Sequence, residues 1–318
     1  MSTYLVTGGA GFIGSNIVER LLKEGHHVKV FDDFSTGKQE NVEAALEGAN
    51  GSGKLEVVRG DIRDAAGLRQ AFGGVEYVFH QAAMCSVQRS VEDPATTTSV
   101  NIEGTLRVLA AARESGVRRV VYASSSSVYG NGAGLPNREE MRPNPCSPYA
   151  LTKFTAEEYC RLFSTVYGLE TVSLRYFNVF GPRQDSSSQY AAVIPIFITR
   201  ILSGAKPVVF GDGEQSRDFT FVEDLVEANL LACHKEGVAG RTYNIARGSR
   251  KTLNQLIETL GSITGKPVDA EYAQPRPAEV RHSEAAVGKA ERELSFKARV
   301  SFEEGLERTF AWFRDRRR

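Results

Sequence analysis

The sequence predicts an α/β protein built on a doubly wound parallel sheet, with a smaller mixed α/β lobe at the carboxyl end. Through about residue 180, short β-branched runs alternate with longer amphipathic patterns, which is typical of βαβ units. A glycine-rich turn follows the first run directly and opens a helical pattern. After residue 180 the helical patterns lengthen and the strand-like pieces shorten. We therefore expect a first domain over residues 1–180, to which the chain returns later, and a second lobe over residues 181–318.

The individual elements follow from these patterns. The predicted strands of the first domain are TYLVTG, HVKVFD, LEVVRGD, EYVFHQ, RVVYASS and TVSLRYF. The second lobe is predicted to contain the helices AAVIPIFITRILSG, VEDLVEANLLACHKEG and TLNQLIETLGSITG, with the short strands PVVFGDG and TYNIA between them.

Charge and cysteine usage exclude several classes of protein. Lys plus Arg and Asp plus Glu both total 39, so the net charge of zero provides no field for nucleic acid or a membrane surface. The four cysteines show no CxxC pair, which argues against a zinc or other metal site and against a disulfide scaffold. No basic leader and no apolar run of about 18 residues is present. We expect a soluble, cytoplasmic protein.

The glycine-rich turn has the spacing of a dinucleotide-binding loop. Gly8, Gly11 and Gly14 follow the first strand and lead into a helix that begins with Phe12 and Ile13. Glycines at these positions let the backbone turn tightly, let a pyrophosphate approach the helix N-terminus and let the helix pack on the strand. The pattern predicts a Rossmann-type domain.

Acidic residues at the next strand ends indicate which dinucleotide binds. Asp32 lies 18 residues beyond Gly14 and is followed by Asp33. A carboxylate there accepts both ribose hydroxyls and repels a 2′-phosphate, and no arginine adjoins it, so NAD is favoured over NADP. Asp61 and Ile62 end the third strand and are predicted to hold the adenine.

A tyrosine and a lysine form the candidate catalytic pair. Tyr149 and Lys153 in SPYALTK are four residues apart, so a helix places both on one face. An ammonium group and a positively charged nicotinamide would lower the pKa of the phenol from its usual value near 10, which makes it a general base. The run SSSSVYG lies upstream, with Ser125 24 residues before Tyr149, at the end of a predicted strand.

These motifs together resemble the extended short-chain dehydrogenase/reductase family, and within it the nucleotide-sugar 4-epimerases. The resemblance covers essentially the whole chain: TGGAGFIG, YASSSSVYG, SPYALTK, RYFNVFGPRQD, GDGEQSRDF and RPAEVRHS occur in that order. It implies NAD-dependent epimerisation at C4 of a UDP-hexose through a 4-keto intermediate, catalysed by Ser125, Tyr149 and Lys153. Family members that dehydrate sugars carry an Asp and a Glu where this chain has Ser126 and Ser127, so elimination of water is not expected.

The patterns and the resemblance predict two sets of binding residues. The predicted cofactor contacts are Gly8, Gly11, Phe12, Ile13, Gly14, Asp32, Asp33, Asp61, Ile62, Gln81, Ala82, Ala83, Asn101, Ser124, Tyr149, Lys153 and Tyr176. The predicted substrate contacts are Ser86, Ser125, Ser126, Asn178, Ala192, Val193, Arg217, Arg281 and Gly288. The segment SSQYAAVIP, residues 187–195, resembles the part that holds the nucleobase, expected to be uracil.

The resemblance also bears on the sugar. Gly288 corresponds to a position beside the sugar, where a small residue goes with tolerance of an N-acetyl group. We therefore expect UDP-GlcNAc and UDP-GalNAc to be accepted together with UDP-glucose and UDP-galactose.

Two alternatives and one assembly prediction stay open. A UDP-glucuronate 4-epimerase would need a cation for the sugar carboxylate, for which Arg89 and Arg183 are candidates. A catalytically silent NAD-binding protein would be expected to lack Tyr149, Lys153 or Ser125. By analogy with the family we expect a homodimer through the helices of residues 95–115 and 148–167.

Overall fold

The computed structural model describes residues 1–131, 134–186, 192–275 and 280–316. In this part of the chain a sheet of seven parallel strands forms the centre of the molecule. From one edge to the other, its strands are β3 (Lys54–Arg59), β2 (His27–Asp32), β1 (Thr3–Thr7), β4 (Tyr77–His80), β5 (Arg119–Ser125), β6 (Glu170–Tyr176) and β11 (Arg241–Ile245). The order 3-2-1-4-5-6 is that of the doubly wound Rossmann fold, so the predicted fold class is confirmed.

Helices cover both faces of the sheet, as buried parallel strands require. On one face the core is closed by α1 (Phe12–Lys23), α2 (Gln39–Gly48) and α9 (Val222–His234). On the other face it is closed by α3 (Ala65–Ala71), α6 (Gly104–Glu114) and α7 (Pro148–Tyr167). The shorter segments of the first domain are α4 (Val87–Glu92), α5 (Pro94–Thr98), a π-helical segment (Ser99–Glu103) and a 3₁₀ turn (Ser126–Tyr129).

The C-terminal lobe has its own core of aromatic and aliphatic side chains. Its helices are α8 (Val193–Leu202), α10 (Leu253–Thr264), a π-helical segment (Ala290–Leu294) and α11 (Phe302–Asp315). Three short strand pairs accompany them: β7 (Val179–Phe180) with β10 (Thr220–Phe221), β8 (Val208–Phe210) with β13 (Glu271–Ala273), and β9 (Ser216–Arg217) with β12 (Lys251–Thr252). Phe180, Phe197, Phe221 and Phe302 are buried together at the centre of the lobe.

Two elements predicted for the second lobe belong to the main sheet. The TYNIA piece is β11, which pairs in parallel with β6, and the VEDLVEANLLACHKEG pattern is α9, which packs on the sheet face. Hydrophobic periodicity shows that an element buries one face but not which layer receives it. The division at residue 180 stays a prediction.

The described residues were expected to contain no membrane-spanning helix, no metal site and no disulfide scaffold. Within the described ranges, no helix is both long and apolar enough to cross a bilayer. In the same ranges, no group of three or more His, Cys, Asp or Glu side chains is arranged to hold a metal ion. All four cysteines are free thiols, of which Cys160 and Cys233 are buried.

Candidate active site

The predicted cofactor residues converge on one edge of the main sheet. Gly8 follows β1, Asp32 ends β2, Gln81 follows β4, Ser125 ends β5 and Tyr176 ends β6. Because all these strands are parallel, their carboxyl ends lie side by side at the edge where Rossmann domains bind ligands.

The loop between β1 and α1 forms a cradle that only glycines allow. Gly8 has a φ of 70°, and a Cβ on it would lie 2.6 Å from the backbone nitrogen of Ala82. A Cβ on Gly14 would lie 2.1 Å from the carbonyl oxygen of Gly8. Gly11 caps α1 without a side-chain hydrogen bond, so the first N–H groups of the helix, including those of Phe12 and Ile13, have no capping side chain. This arrangement suits the pyrophosphate of a dinucleotide.

Asp32 is fixed at the end of β2 with its carboxylate oriented by the backbone. Its oxygens accept hydrogen bonds from the backbone nitrogens of Ala10 and Phe34, each at 2.9 Å. Burial raises the pKa of the carboxyl, although these two N–H groups lower it. A Cβ on Gly37 would lie 2.7 Å from Asp32 Oδ1, so the chain passes close over the carboxylate. This geometry agrees with a ribose-binding acid.

The neighbouring acids have different environments. Asp33 accepts hydrogen bonds from the backbone and hydroxyl of Ser35 and is exposed. Asp61 pairs with Arg63, whose hydrogen bonds lower the pKa of the carboxyl. Ile62 is buried against the first turn of α6. Ile62 is therefore placed to form an apolar wall, whereas the carboxylate of Asp61 already has a partner.

Helix α7 carries both Tyr149 and Lys153, and a capping residue fixes where the helix begins. Ser147 caps the helix by accepting from the backbone nitrogen of Ala150 at 3.1 Å, and Pro148 occupies the first turn. Such a cap contributes about 1 kcal/mol. Lys153 Nζ lies 6.0 Å from the centre of the Tyr149 ring and donates to the carbonyl oxygen of Ala123 on β5 at 2.8 Å. The two catalytic candidates thus share one helix face against the end of β5.

Ser125 completes the cluster, but the chain alone does not lower the pKa of Tyr149 as the sequence predicts. Burial raises the pKa of this phenol, Cys85 raises it further, and hydrogen bonding by Ser125 lowers it by less. Burial also lowers the pKa of the Lys153 ammonium. Burial therefore sets the direction of the shift, so the expected lowering of the Tyr149 pKa depends on the positive charge that NAD⁺ would add.

The four serines at the end of β5 have different partners. Ser124 donates its hydroxyl to Glu157 at 2.7 Å and is buried, so this hydroxyl does not face the cofactor edge. Ser125 Oγ accepts from the backbone nitrogen of Ser127 at 3.2 Å. Among the described contacts, the buried Ser127 hydroxyl has no hydrogen-bond partner, and Ser126 is partly exposed. The cofactor role predicted for Ser124 could therefore involve only its backbone.

Two other predicted cofactor contacts bind neighbouring parts of the protein. Asn101 accepts from the backbone nitrogen of Met84 at 2.8 Å and donates to Met84 O and to Thr152 on α7. Tyr176 donates to Asn229 at 2.9 Å and accepts from Gln81 at 3.1 Å. These bonds hold the loop after β4, which contains Ala82 and Ala83 and contributes the predicted sugar contact Ser86 at the cap of α4.

Four predicted substrate contacts line a single cavity. The cavity has a volume of about 440 Å³, lies between the end of β6 and the C-terminal lobe, and is lined by Asn178, Ala192, Val193 and Arg217 among others. Most of its lining is aliphatic or aromatic, including Phe197, Phe210 and Phe219. Residues 187–191 of the predicted nucleobase segment lie outside the described residues.

Asp218, which the sequence reading missed, holds the segment next to Arg217. Its carboxylate accepts from the backbone nitrogens of Arg247, Gly248 and Ala285 at 3.1 to 3.2 Å. Burial raises its pKa to about 6, although these N–H groups hold it down. Asp218 therefore ties the wall of the cavity to the loop after β11 and to the chain around residue 285.

Two further predicted substrate residues do not themselves line the cavity. The Arg281 guanidinium is exposed and donates to Asp212 at 2.7 Å, while its backbone oxygen accepts from Arg217. A Cβ on Gly288 would meet Arg292, and the following Lys289 donates to the carbonyl of Thr242. Thr242 lies on the edge strand β11, while Val287, the residue before Gly288, packs against the cluster of Val128 and Tyr129.

Comparisons with known proteins establish the family of the chain. Residues 4–246 match the model of the NAD dependent epimerase/dehydratase family. A UDP-glucose 4-epimerase of Mycolicibacterium smegmatis is 40% identical over 98% of each chain. The chain therefore belongs to the NAD dependent epimerase/dehydratase family, which confirms the resemblance and the NAD cofactor.

Two solved structures are also similar. A UDP-N-acetylglucosamine 4-epimerase from Methanobrevibacter ruminantium, in complex with UDP-N-acetylmuramic acid, has a TM-score of 0.93 with 40% identity over 99% of each chain. A UDP-glucose 4-epimerase from Thermus thermophilus, in complex with NAD, has a TM-score of 0.87 with 37% identity and covers 98% of this chain and 99% of that one.

Proposed function

We propose that this chain catalyses NAD-dependent epimerisation at C4 of a UDP-hexose. One observation carries the proposal: Ser125, Tyr149 and Lys153 meet at the end of β5, while Ser126 and Ser127 place no carboxylate there. Such a site can move a proton and assist hydride transfer, but it has no acid at these two positions for eliminating water. The similar proteins named as 4-epimerases support the same reaction.

The chain would position cofactor and substrate from opposite sides of the catalytic pair. NAD supplies the acceptor and the later donor of the hydride at the sugar C4. The loop of Gly8, Gly11 and Gly14 would bind its pyrophosphate, and Asp32 its adenosine ribose. Asn178 and Arg217 would bind the substrate diphosphate, since guanidinium groups pair well with phosphate oxygens. The apolar cavity beside them would hold the uracil.

Proton transfer is assigned to Tyr149. Its phenolate would take the proton of the 4-hydroxyl, while Ser125 donates a hydrogen bond to the same oxygen. Lys153 and the nicotinamide charge would offset the burial that raises the Tyr149 pKa. After the 4-keto sugar turns about its diphosphate, Tyr149 returns the proton to the oxygen as hydride adds to the other face. The reaction gains from positioning and electrostatics, without a covalent intermediate.

Replacing Ser125 with alanine should reduce turnover and change its pH dependence. Hydrogen bonding by Ser125 lowers the pKa of Tyr149, so its loss leaves a more basic phenol that ionises only at higher pH. We expect kcat to fall about 10²-fold and the rising limb of the pH–kcat profile to move to higher pH. Steady-state assays across the pH range measure both, and an unshifted limb would contradict the role of Ser125.

We further propose that plain and N-acetylated UDP-hexoses are both accepted. The chain is 40% identical both to a UDP-glucose 4-epimerase and to a UDP-N-acetylglucosamine 4-epimerase. Gly288 adds no side chain at the position that the resemblance places beside the sugar, and a Cβ there would meet the end of the Arg292 side chain at 3.0 Å.

Separate incubations with UDP-galactose and UDP-GalNAc, without added NAD and with products resolved by chromatography, test the substrate proposal. Conversion of both would support it and indicate that NAD is retained during purification. Conversion of UDP-galactose alone would contradict the N-acetyl part. If neither is converted after NAD is supplied, a uronic acid substrate or a silent NAD-binding protein becomes the better explanation.

The contacts of Arg183 disfavour this residue, one of the two candidates, as the partner of a uronic acid carboxylate. Arg183, a candidate partner of a sugar carboxylate, donates to the backbone oxygen of Ser15 at 3.1 Å and forms an ion pair with Glu19. Its guanidinium is nearly buried by these contacts, so binding a substrate carboxylate would break an existing pair. A parallel incubation with UDP-glucuronate distinguishes the two alternatives, because only a UDP-glucuronate 4-epimerase would convert it in place of the UDP-hexoses.

We also propose a homodimer. Helices α6 and α7 expose the apolar side chains of Leu106, Leu151, Leu162 and Val166. Exposed apolar residues on two adjacent helices suit a helical contact between subunits. The dimer and the cytoplasmic location both stay predictions.

A further inference from the structure

A buried polar network lies directly behind the catalytic strand end. Ser124 donates to Glu157 Oε2 at 2.7 Å, and Arg175 donates to both carboxylate oxygens of Glu157, from Nε at 3.0 Å and from Nη2 at 2.6 Å. Ser124, Glu157 and Arg175 are each only 3% exposed. A hydrogen bond to a buried, charged acceptor is stronger than one between neutral groups, so the Ser124 side chain is firmly held.

The network joins the two elements that carry the catalytic side chains. Glu157 follows Lys153 by four residues and Tyr149 by eight, so all three lie on one side of α7. Ser124 directly precedes Ser125 on β5. The Ser124 to Glu157 bond, together with the bond from Lys153 Nζ to Ala123 O, therefore fixes the end of β5 against the catalytic helix.

Arg175 extends this connection to the other end of the serine run. Its Nη1 donates to the hydroxyl of Tyr129 at 2.8 Å, and Tyr129 donates to Asn244 on β11 at 2.6 Å. The segment from Ser124 to Tyr129 is thus held at both ends by a single guanidinium and its carboxylate partner. The position of Ser125 relative to Tyr149 depends on this segment.

We propose that Ser124 and the Glu157–Arg175 pair are positioning residues of the reaction: they set the distance between the Ser125 hydroxyl and the Tyr149 phenol. Their side chains bond one another and Tyr129, and act on the reaction through Ser125. This inference rests on the proposed function, because its effect on rate is an effect on proton transfer at the sugar 4-hydroxyl.

The test compares Ser124→Ala with Ser173→Ala in the NAD-bound protein. Ser173 is a matched control, since it is 3% exposed on the neighbouring strand β6 and its hydroxyl bonds Cys160 on the same helix α7, away from the catalytic end. We expect Ser124→Ala to lower kcat for UDP-galactose about tenfold, since small displacements of reacting groups reduce rates strongly. Its KM and bound NAD should not change. Ser173→Ala should keep the kcat of the original protein.

Two results would overturn the proposal: an unchanged kcat in Ser124→Ala, or an equal loss of kcat in both variants. Amide hydrogen exchange gives a second measurement that does not depend on turnover. We expect faster exchange over residues 124–129 in Ser124→Ala than in Ser173→Ala. If the original protein converts no UDP-sugar, the proposed function fails by itself. Equal exchange in the two variants then overturns the positioning role.

Discussion

Replacing Tyr149 with phenylalanine is expected to reduce epimerisation of UDP-galactose by about 10³-fold, the size of a lost general acid–base group. The aromatic ring remains, so the packing of this half-buried side chain is retained and only the phenolic oxygen is lost. We therefore expect the variant to purify with as much bound NAD as the original protein. Chromatography of the products measures the loss of turnover. The NAD released when the protein is denatured measures the cofactor content.

Tyr122→Phe is a matched control for this experiment. Tyr122 is a buried tyrosine near Lys153, with the ammonium 5.1 Å from its ring centre, but among the described contacts its hydroxyl has no hydrogen-bond partner. Removal of the Tyr122 hydroxyl should leave turnover unchanged. An active Tyr149→Phe variant, or one that loses activity together with its NAD, would contradict the assignment of Tyr149 as the base.

Replacing Gly14 with alanine is expected to remove most of the bound NAD. The new Cβ would lie 2.1 Å from the carbonyl oxygen of Gly8 and 2.8 Å from the Cα of Gly9, so the backbone of the phosphate loop has to shift. Overpacking of this kind costs about 1–3 kcal/mol, which corresponds to a loss of about five- to 150-fold in NAD affinity if the cost falls on the bound form. The NAD content of the purified protein and a titration with NAD measure the effect.

Gly73→Ala provides the comparison for Gly14→Ala. Its Cβ would meet its nearest neighbour, the carbonyl oxygen of Gln70, at an ordinary distance of 3.5 Å. This variant should bind NAD like the original protein. Full NAD content in Gly14→Ala would show that the loop does not hold the pyrophosphate as described.

Local features of the sequence were sufficient to predict most of the fold. The six strands β1 to β6 are short β-branched runs, and the loop after β1 requires glycines, so both leave a mark in consecutive residues. The positions of β11 and α9 were not predictable in the same way. Both depend on which distant segment they contact, and neither periodicity nor length records that partner.

The catalytic site shows the same limit. The spacing of Tyr149 and Lys153 predicts their common helix face, but not the burial that raises the Tyr149 pKa. Glu157 continues that spacing by another turn, which could have drawn attention to it. An acid at such spacing is more often solvated, and only the structure shows Arg175 and Ser124 as its buried partners.

The run of serines illustrates a further limit. Four consecutive serines look equivalent in the sequence, and nothing in it assigns a partner to each hydroxyl. In the structure Ser124 bonds Glu157 near the middle of α7, while Ser125, at the end of β5, bonds Tyr149 in the first turn of the same helix. The substrate contacts of Arg281 and Gly288 stay predictions, since their present partners, Asp212 and Arg292, are side chains that a bound substrate could replace.

The central claim is that hydride leaves C4 of the sugar and returns to the same carbon while NAD stays bound. Incubating the purified protein with UDP-galactose deuterated at C4, in ordinary water and without added NAD, tests this directly. We predict UDP-glucose that keeps the deuterium at C4, as read by mass spectrometry and NMR. Formation of UDP-glucose that has exchanged this deuterium for solvent hydrogen, or recovery of unchanged UDP-galactose even after NAD is supplied, would contradict the account.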